Sequence, residues 1–133
     1  MNLIFDDMSK SQLINEQIKK PSAVLFYADW CPHCVEVKPH WENIANKLRG
    51  KITMLSVRDD FIQNLENKDN YIINGFPNII ISKNGKPFKE FEGHRTPENI
   101  EKFIKNNLLS KKKKSKRRTS KKKKSKKKKS KKN

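Results

Sequence analysis

Residues 22–41 read SAVLFYADWCPHCVEVKPHW, and this stretch decides the fold. Its first half predicts a buried strand over residues 22–29, because Val24, Leu25, Phe26 and Tyr27 follow one another with no polar residue between them. Its second half changes period. From Pro32 onward Cys34, Val37, Trp41, Ile44 and Leu48 recur at steps of three and four, which predicts a helix with one buried stripe that ends near Gly50. Cys31 and Cys34, the only cysteines of the chain, stand at this junction, Cys31 at the exposed N-terminus of the helix and Cys34 on its buried stripe. Two thiols so placed can cycle between dithiol and disulfide and exchange electrons with other proteins.

Outward from this junction the pattern alternates between strand and helix. Ser11 can cap a helix carrying Leu13, Ile14 and Ile18 on one side, and Pro21 stops it. Residues 52–57 give a second strand, and Asp59 or Asp60 begins a weaker helical stretch through Phe61, Ile62 and Leu65. Residues 78–82 and 87–91 read as a hairpin, since Asn84-Gly85 between them suits a type I′ turn. Thr96 caps a last helix, Pro97 fits its first turn, and Ile100, Phe103, Ile104 and Leu108 form its apolar face. The fold class is therefore α/β: a mixed central sheet flanked by helices on both sides.

The chain has 133 residues and a formal charge of +18, which divides unevenly. Residues 1–109 hold 15 Lys and Arg against 14 Asp and Glu, whereas residues 110–133 hold 17 basic residues and no acidic one. The first segment is a domain able to bury its own core without disulfide staples; the second is an appendage. Residues 1–10 contain only the short apolar group Leu3, Ile4, Phe5 followed by Asp6 and Asp7, which is no secretory signal, and no apolar run is long enough to span a membrane. A non-secreted monomer in a reducing cytoplasmic or nuclear compartment is expected, where a C-x-x-C pair is catalytic or metal-binding more often than structural.

With these elements placed, residues 22–108 resemble the thioredoxin family, and in their motifs protein disulfide isomerase domains. Phe26, Tyr27, Ala28, Trp30 and Cys31 are similar to the FYAxWC entry of isomerase domains. Pro39 falls where the family has the proline of its active-site helix, and Gly93, His94, Arg95, Thr96 resemble the G-x-R-T before its last helix. Gly75, Phe76, Pro77 resemble the segment ending in the family's cis-proline. The resemblance implies a single thioredoxin fold, with Pro77 cis beside the cysteines, the Phe76 backbone free to pair with a bound substrate strand, and Trp30 as a platform beside the sulfurs. From the residues alone, Pro77 reads rather as an ordinary trans proline opening a strand. One position departs from the pattern: where the family carries a buried acid thought to relay the proton of the second cysteine, this chain has Leu25.

The chemistry follows from the placement of the sulfurs. Only a thiolate attacks a disulfide, and a helix N-terminus offers free N–H groups and the positive dipole end to that anion. His33 can add a proton or a positive charge beside it. Cys31 is thus the expected nucleophile, and Cys34 the resolver that releases the mixed disulfide. The intervening Pro32-His33 is the pair of the oxidising DsbA family, which favours an oxidant or isomerase over a general reductant. The competing reading of the cysteines is zinc, which needs four ligands; only His33, His40 and His94 remain to complete it, without metal-site spacing. No metal or other cofactor is expected.

The tail repeats Ser110, Ser115, Ser120, Ser125 and Ser130 every five residues, with Lys or Arg in almost every gap. Five is the period of neither helix nor strand and nothing apolar is present to bury, so disorder is expected over residues 110–133. Such an arm binds nucleic acid or another polyanion by releasing counterions, without sequence preference. Nuclear import and a merely solvated extension are the competing readings. The expected function is exchange of electrons with dithiol or disulfide proteins, tethered by the tail to a polyanionic partner; the alternative is a non-enzymatic binding or packaging module. Small thioredoxin-like proteins of giant DNA viruses look similar, and packaging in a virion beside a genome would give the tail a purpose.

Overall fold

The computed structural model describes residues 2–109, and the expectations for residues 110–133 lie outside them. Five strands, β1 (Asn2–Phe5), β2 (Ser22–Tyr27), β3 (Thr53–Arg58), β4 (Asn78–Lys83) and β5 (Lys86–Glu90), form one sheet in the order β1-β3-β2-β4-β5. The first three are parallel and the last two antiparallel to their neighbours, so the sheet is mixed. The helices are α1 (Ser11–Gln17), α2 (Pro32–Lys47) and α3 (Pro97–Leu108). Among the described residues no helix is long and apolar enough to cross a membrane.

β2 is the centre of this arrangement. All six of its residues are buried, because successive side chains point to opposite faces and both faces are covered. Ala23, Leu25 and Tyr27 join the core beneath α2 and α3 with Val37, Trp41, Ile44 and Ile104; Val24 and Phe26 join the core beneath α1 with Phe5, Ile14, Ile18 and Leu65. The stripe Cys34, Val37, Trp41, Ile44, Leu48 is buried throughout. The hairpin turn takes the expected backbone, with Asn84 at φ 57° and Gly85 at φ 74°. A Cβ at Gly85 would also collide with the Asn67 side chain.

Several boundaries differ from the sequence reading. Residues 2–5 form an edge strand beside β3 with Leu3 opposite Leu55, which a group of three apolar residues is too short to announce. Ser11 is not a cap: Asp7 starts a 3-10 turn at Met8–Lys10 by accepting from the Ser9 amide at 3.3 Å, and this turn runs directly into α1. Leu13 is 43% exposed, so the buried face of that helix rests on Ile14 and Ile18. The stretch after Asp59 is a 3-10 helix, Asp59–Asn64, without a side-chain cap. α3 is as read, with the Asn99 amide donating to Thr96 Oγ1 at 3.1 Å and Pro97 in the first turn.

Ile104 is fully buried between α3 and the sheet, whereas Phe88 on edge strand β5 is 54% exposed. Ile104→Ala is expected to lower the unfolding free energy by about 2–5 kcal/mol in urea titrations, and Phe88→Ala by less than about 1 kcal/mol.

Candidate active site

The chain leaves β2 and reverses within four residues, the Cys31 amide donating to Ala28 O at 3.2 Å. Cys31 is the N-cap of α2, in an extended conformation (φ −96°, ψ 114°). Pro32 fills the first helical position, where its fixed φ suits the helix and its missing N–H is no loss. The Cys34 amide donates to Cys31 Sγ at 3.2 Å, so the sulfur occupies the place of a capping oxygen. An N–H aimed at the sulfur and the dipole of α2 both serve the anionic form of Cys31.

Cys31 itself is only 4% exposed. The expectation of an open helix end is corrected here, because the segment before Pro77 packs over it. Phe76 leans on the core beneath α2, and the Cys31 thiol donates to Phe76 O at 3.5 Å. The Phe76–Pro77 peptide is cis. Trp30, 71% exposed, meets Phe76 edge to face with ring centroids 5.8 Å apart. Its indole Nε1 donates to Asp59 Oδ2 at 3.0 Å, which fixes the ring beside the cysteines. The structure thus brings Trp30, Cys31, Pro32, Cys34, Phe76 and Pro77 together. His33 turns to solvent instead, with Nδ1 3.7 Å from Glu36 Oε1, and makes no hydrogen bond to either sulfur.

Cys34 lies beneath, with no exposed surface. Burial pushes its thiol up to about 12, the bond with Cys31 adding to the shift while the Ala28 backbone and the Arg95 guanidinium pull the other way. Holding both thiols reduced, the site therefore contains two unlike sulfurs: one receiving an amide at a helix terminus, the other kept neutral in the core. Arg95 was legible only as part of the G-H-R-T segment, with nothing in the sequence to place its charge near Cys34.

Leu25 is buried in the same core as Cys34. It lines a cavity of about 10 Å³ with Tyr27, Lys38, Trp41, Glu42 and Ser56. Among the described residues, Trp41 Nε1 is buried there with no hydrogen-bond partner. Lys38 sits 4.5 Å over the Tyr27 ring and 3.8 Å from Asp29, and Glu42 accepts from Asn2 Nδ2 at 2.8 Å. No carboxylate takes the place that Leu25 occupies in the sheet.

A second group missed from the sequence surrounds the active-site loop. Arg58 at the end of β3 holds Asp60 through two hydrogen bonds of 2.7 and 3.0 Å and lies 3.7 Å from Asp29. The bond to Arg58 lowers the Asp60 carboxyl and raises the guanidinium further above its ordinary range. Tyr27 is pushed up to about 12, first by burial and then by Asp6 and Asp29. The available signal was position: Asp29, Arg58 and Asp59 all lie at or just beyond the carboxyl ends of parallel strands, where α/β sheets place their sites. Among the described residues no group of three or more His, Cys, Asp or Glu side chains could hold a metal ion.

Comparison with known proteins agrees with this geometry. The family model described as Thioredoxin matches residues 6–106. Protein disulfide-isomerase A4 of Bos taurus is 33% identical over 92 residues, covering 67% of this chain and 14% of that protein. A thioredoxin domain-containing protein of Acanthamoeba polyphaga mimivirus is 30% identical over 111 residues, covering 77% of this chain and 32% of that protein. Among solved structures, the first two thioredoxin domains of Naumovozyma dairenensis Eps1p align with a TM-score of 0.62 at 25% identity, covering 74% of this chain and 39% of that one. The chain thus spans well under half the length of these relatives. With its mixed five-stranded sheet, its C-x-x-C pair at the start of α2 and its cis Phe76–Pro77 bond, the chain belongs to the thioredoxin family.

Proposed function

We propose that this chain is a thiol–disulfide oxidoreductase acting on protein substrates, in which Cys31 attacks and Cys34 resolves. The observation that carries this reading is the amide of Cys34 donating to Cys31 Sγ at the head of α2, with Cys34 itself buried below. The Cys31 thiolate attacks one sulfur of a substrate disulfide; a mixed disulfide forms and the other substrate sulfur leaves as a thiolate. Cys34 then loses its proton and attacks Cys31 Sγ. The Cys31–Cys34 disulfide forms and the second substrate sulfur is released, so two electrons pass to the substrate. The reverse sequence oxidises a substrate dithiol. Once Cys31 is deprotonated and engaged, Phe76 O loses the hydrogen bond it accepted from the thiol and is open to a substrate amide.

The dipeptide Pro32-His33 supports an oxidant or isomerase over a general reductant, and the isomerase relatives lean the same way. His33 acts from the mouth of the site, as its exposed ring beside Glu36 requires. Residues 110–133 support a polyanion-binding arm in a cytoplasmic, nuclear or virion setting, since their 17 positive charges adjoin a nearly neutral domain.

Cys34→Ser is expected to accumulate mixed disulfides with client proteins, separable on non-reducing gels, whereas Cys31→Ser accumulates none and loses insulin reduction. In the reduced protein Cys31 should alkylate much faster than Cys34; equal rates would contradict the assignment.

Burial holds the Cys34 thiol well above its ordinary range, so very little of it is thiolate at pH 7. Without a buried acid to take the proton, the resolving rate should rise about tenfold per pH unit between about pH 6 and 9, since it tracks the thiolate fraction. Leu25→Glu is expected to raise the neutral-pH rate and flatten this dependence, while costing stability through the dehydrated carboxyl. Stopped-flow release of a model substrate measures both, and an unchanged rate and slope in the folded variant would show that the proton leaves by another route.

The full chain is expected to bind random-sequence duplex DNA or RNA with an affinity that falls steeply as salt rises. Ending the chain at Leu109 should weaken or abolish this binding and leave insulin reduction intact. Unchanged nucleic-acid affinity after truncation would refute the arm.

A further inference from the structure

The nearly neutral charge of residues 1–109 is not evenly spread. At the end of the sheet that carries the cysteines, Asp6 follows β1, Asp29 follows β2, and Asp59 and Asp60 follow β3. Lys10, Lys38 and Arg58 stand among these carboxylates and are paired with them, Lys10 with Asp6 at 3.1 Å, Lys38 and Arg58 with Asp29 at 3.8 and 3.7 Å.

The opposite end is built from three connections that leave the sheet side by side. Ser22 of β2 stands opposite both Thr53 of β3 and Ser82 of β4, so residues 19–21, 49–52 and 83–86 emerge from neighbouring strands about 4.8 Å apart. Two bonds lock the hairpin turn against the end of α1: the Asn84 amide donates to Lys19 O at 2.9 Å, and Ser82 Oγ donates to Ile18 O at 3.3 Å. These connections carry Lys19, Lys20, Arg49, Lys51, Lys83 and Lys86. Glu66 pairs with Lys19 at 3.1 Å. Lys20, Arg49, Lys51 and Lys86 are exposed and have no carboxylate within salt-bridge distance among the described residues.

The last helix runs towards this same end. Arg95 lies near Cys34, Pro97 shares a cleft with His40 and Asn43, and Glu101 meets Lys47 at 3.0 Å on the last turn of α2. α3 therefore runs alongside α2 away from the cysteines, towards the end of the sheet that carries these connections.

We propose that this pole, formed by residues 19–21, 49–52 and 83–86, is a docking face for the phosphate backbone of nucleic acid, turned away from the active site. The inference rests on the reading of the tail as a polyanion-binding arm and adds a rigid binding face on the domain. Exposed lysines and an arginine on fixed connections recognise phosphates by charge and carry no sequence preference, and the exposed Phe88 ring under Lys83 Nζ at 3.9 Å adds an apolar edge to the face. Around the cysteines Lys10, Lys38 and Arg58 are already paired with carboxylates, so the backbone is drawn to the far side instead. Cys31 then remains free for protein substrates while the domain is anchored.

The test uses the full chain and a labelled 20-base-pair duplex of random sequence, followed by fluorescence anisotropy across a salt series. Reversing Lys20, Arg49, Lys51 and Lys86 together to Glu should weaken binding about tenfold or more at about 0.1 M salt and make the salt slope shallower. Insulin reduction and the melting temperature serve as checks that the variant is folded, and the milder replacement of all four by Gln should give a smaller loss in the same direction. Saturating the wild-type chain with duplex should leave Cys31 alkylation within about twofold of its free rate. Wild-type binding that survives the reversal unchanged would overturn the docking face while leaving the tail reading intact; failure of the wild type to bind at all would overturn both. Strong protection of Cys31 by duplex, or tighter binding to phosphatidylserine vesicles than to duplex at equal salt, would also overturn the proposal.

Discussion

The site depends on the 3.2 Å hydrogen bond from the Cys34 amide to Cys31 Sγ. It exists because β2, laddered on one side to β3 and on the other to β4, fixes where the chain emerges from the sheet. The turn from Ala28 to Cys31 then places that sulfur where a helix normally finds its capping oxygen. Pro32 starts the helix without adding an unmet donor. The two cores on either side of β2 are thus the support of a single sulfur position.

The same geometry divides the labour between the cysteines. One turn of helix carries the chain from the cap position to the floor of the core, so Cys31 receives a donor while Cys34 loses its hydration. A buried thiol held near 12 is protected from stray oxidation and unwanted attack, yet it must surrender its proton to complete a cycle. In the proposed cycle Leu25 makes that step harder, since it fills with hydrocarbon the place where a carboxyl could accept the proton. Arg95 works in the opposite sense, its positive charge favouring the Cys34 anion.

Much of this was legible because hydrophobic period and turn chemistry are local. The unbroken apolar run of residues 24–27 and the steps from Cys34 to Leu48 announced β2 and α2, and Asn84-Gly85 announced the hairpin through its demand for positive φ. What failed depended on distant segments. β1 is a strand because β3 accepts it, and three apolar residues do not reveal that. Cys31 is covered because residues far along the chain fold back over the helix end, and no helical pattern reports such a roof. The Trp30–Asp59 bond and the Arg58 network likewise join residues whose proximity is set by the sheet order.

The reduction potential of the Cys31–Cys34 couple, measured by equilibration of the full chain against defined glutathione mixtures, tests the central claim most directly. A single two-electron transition near about −180 mV, the value of protein disulfide isomerase, is the predicted result. A potential near the roughly −270 mV of thioredoxin would contradict the proposed direction of electron flow. The absence of any reversible transition would contradict the redox assignment itself.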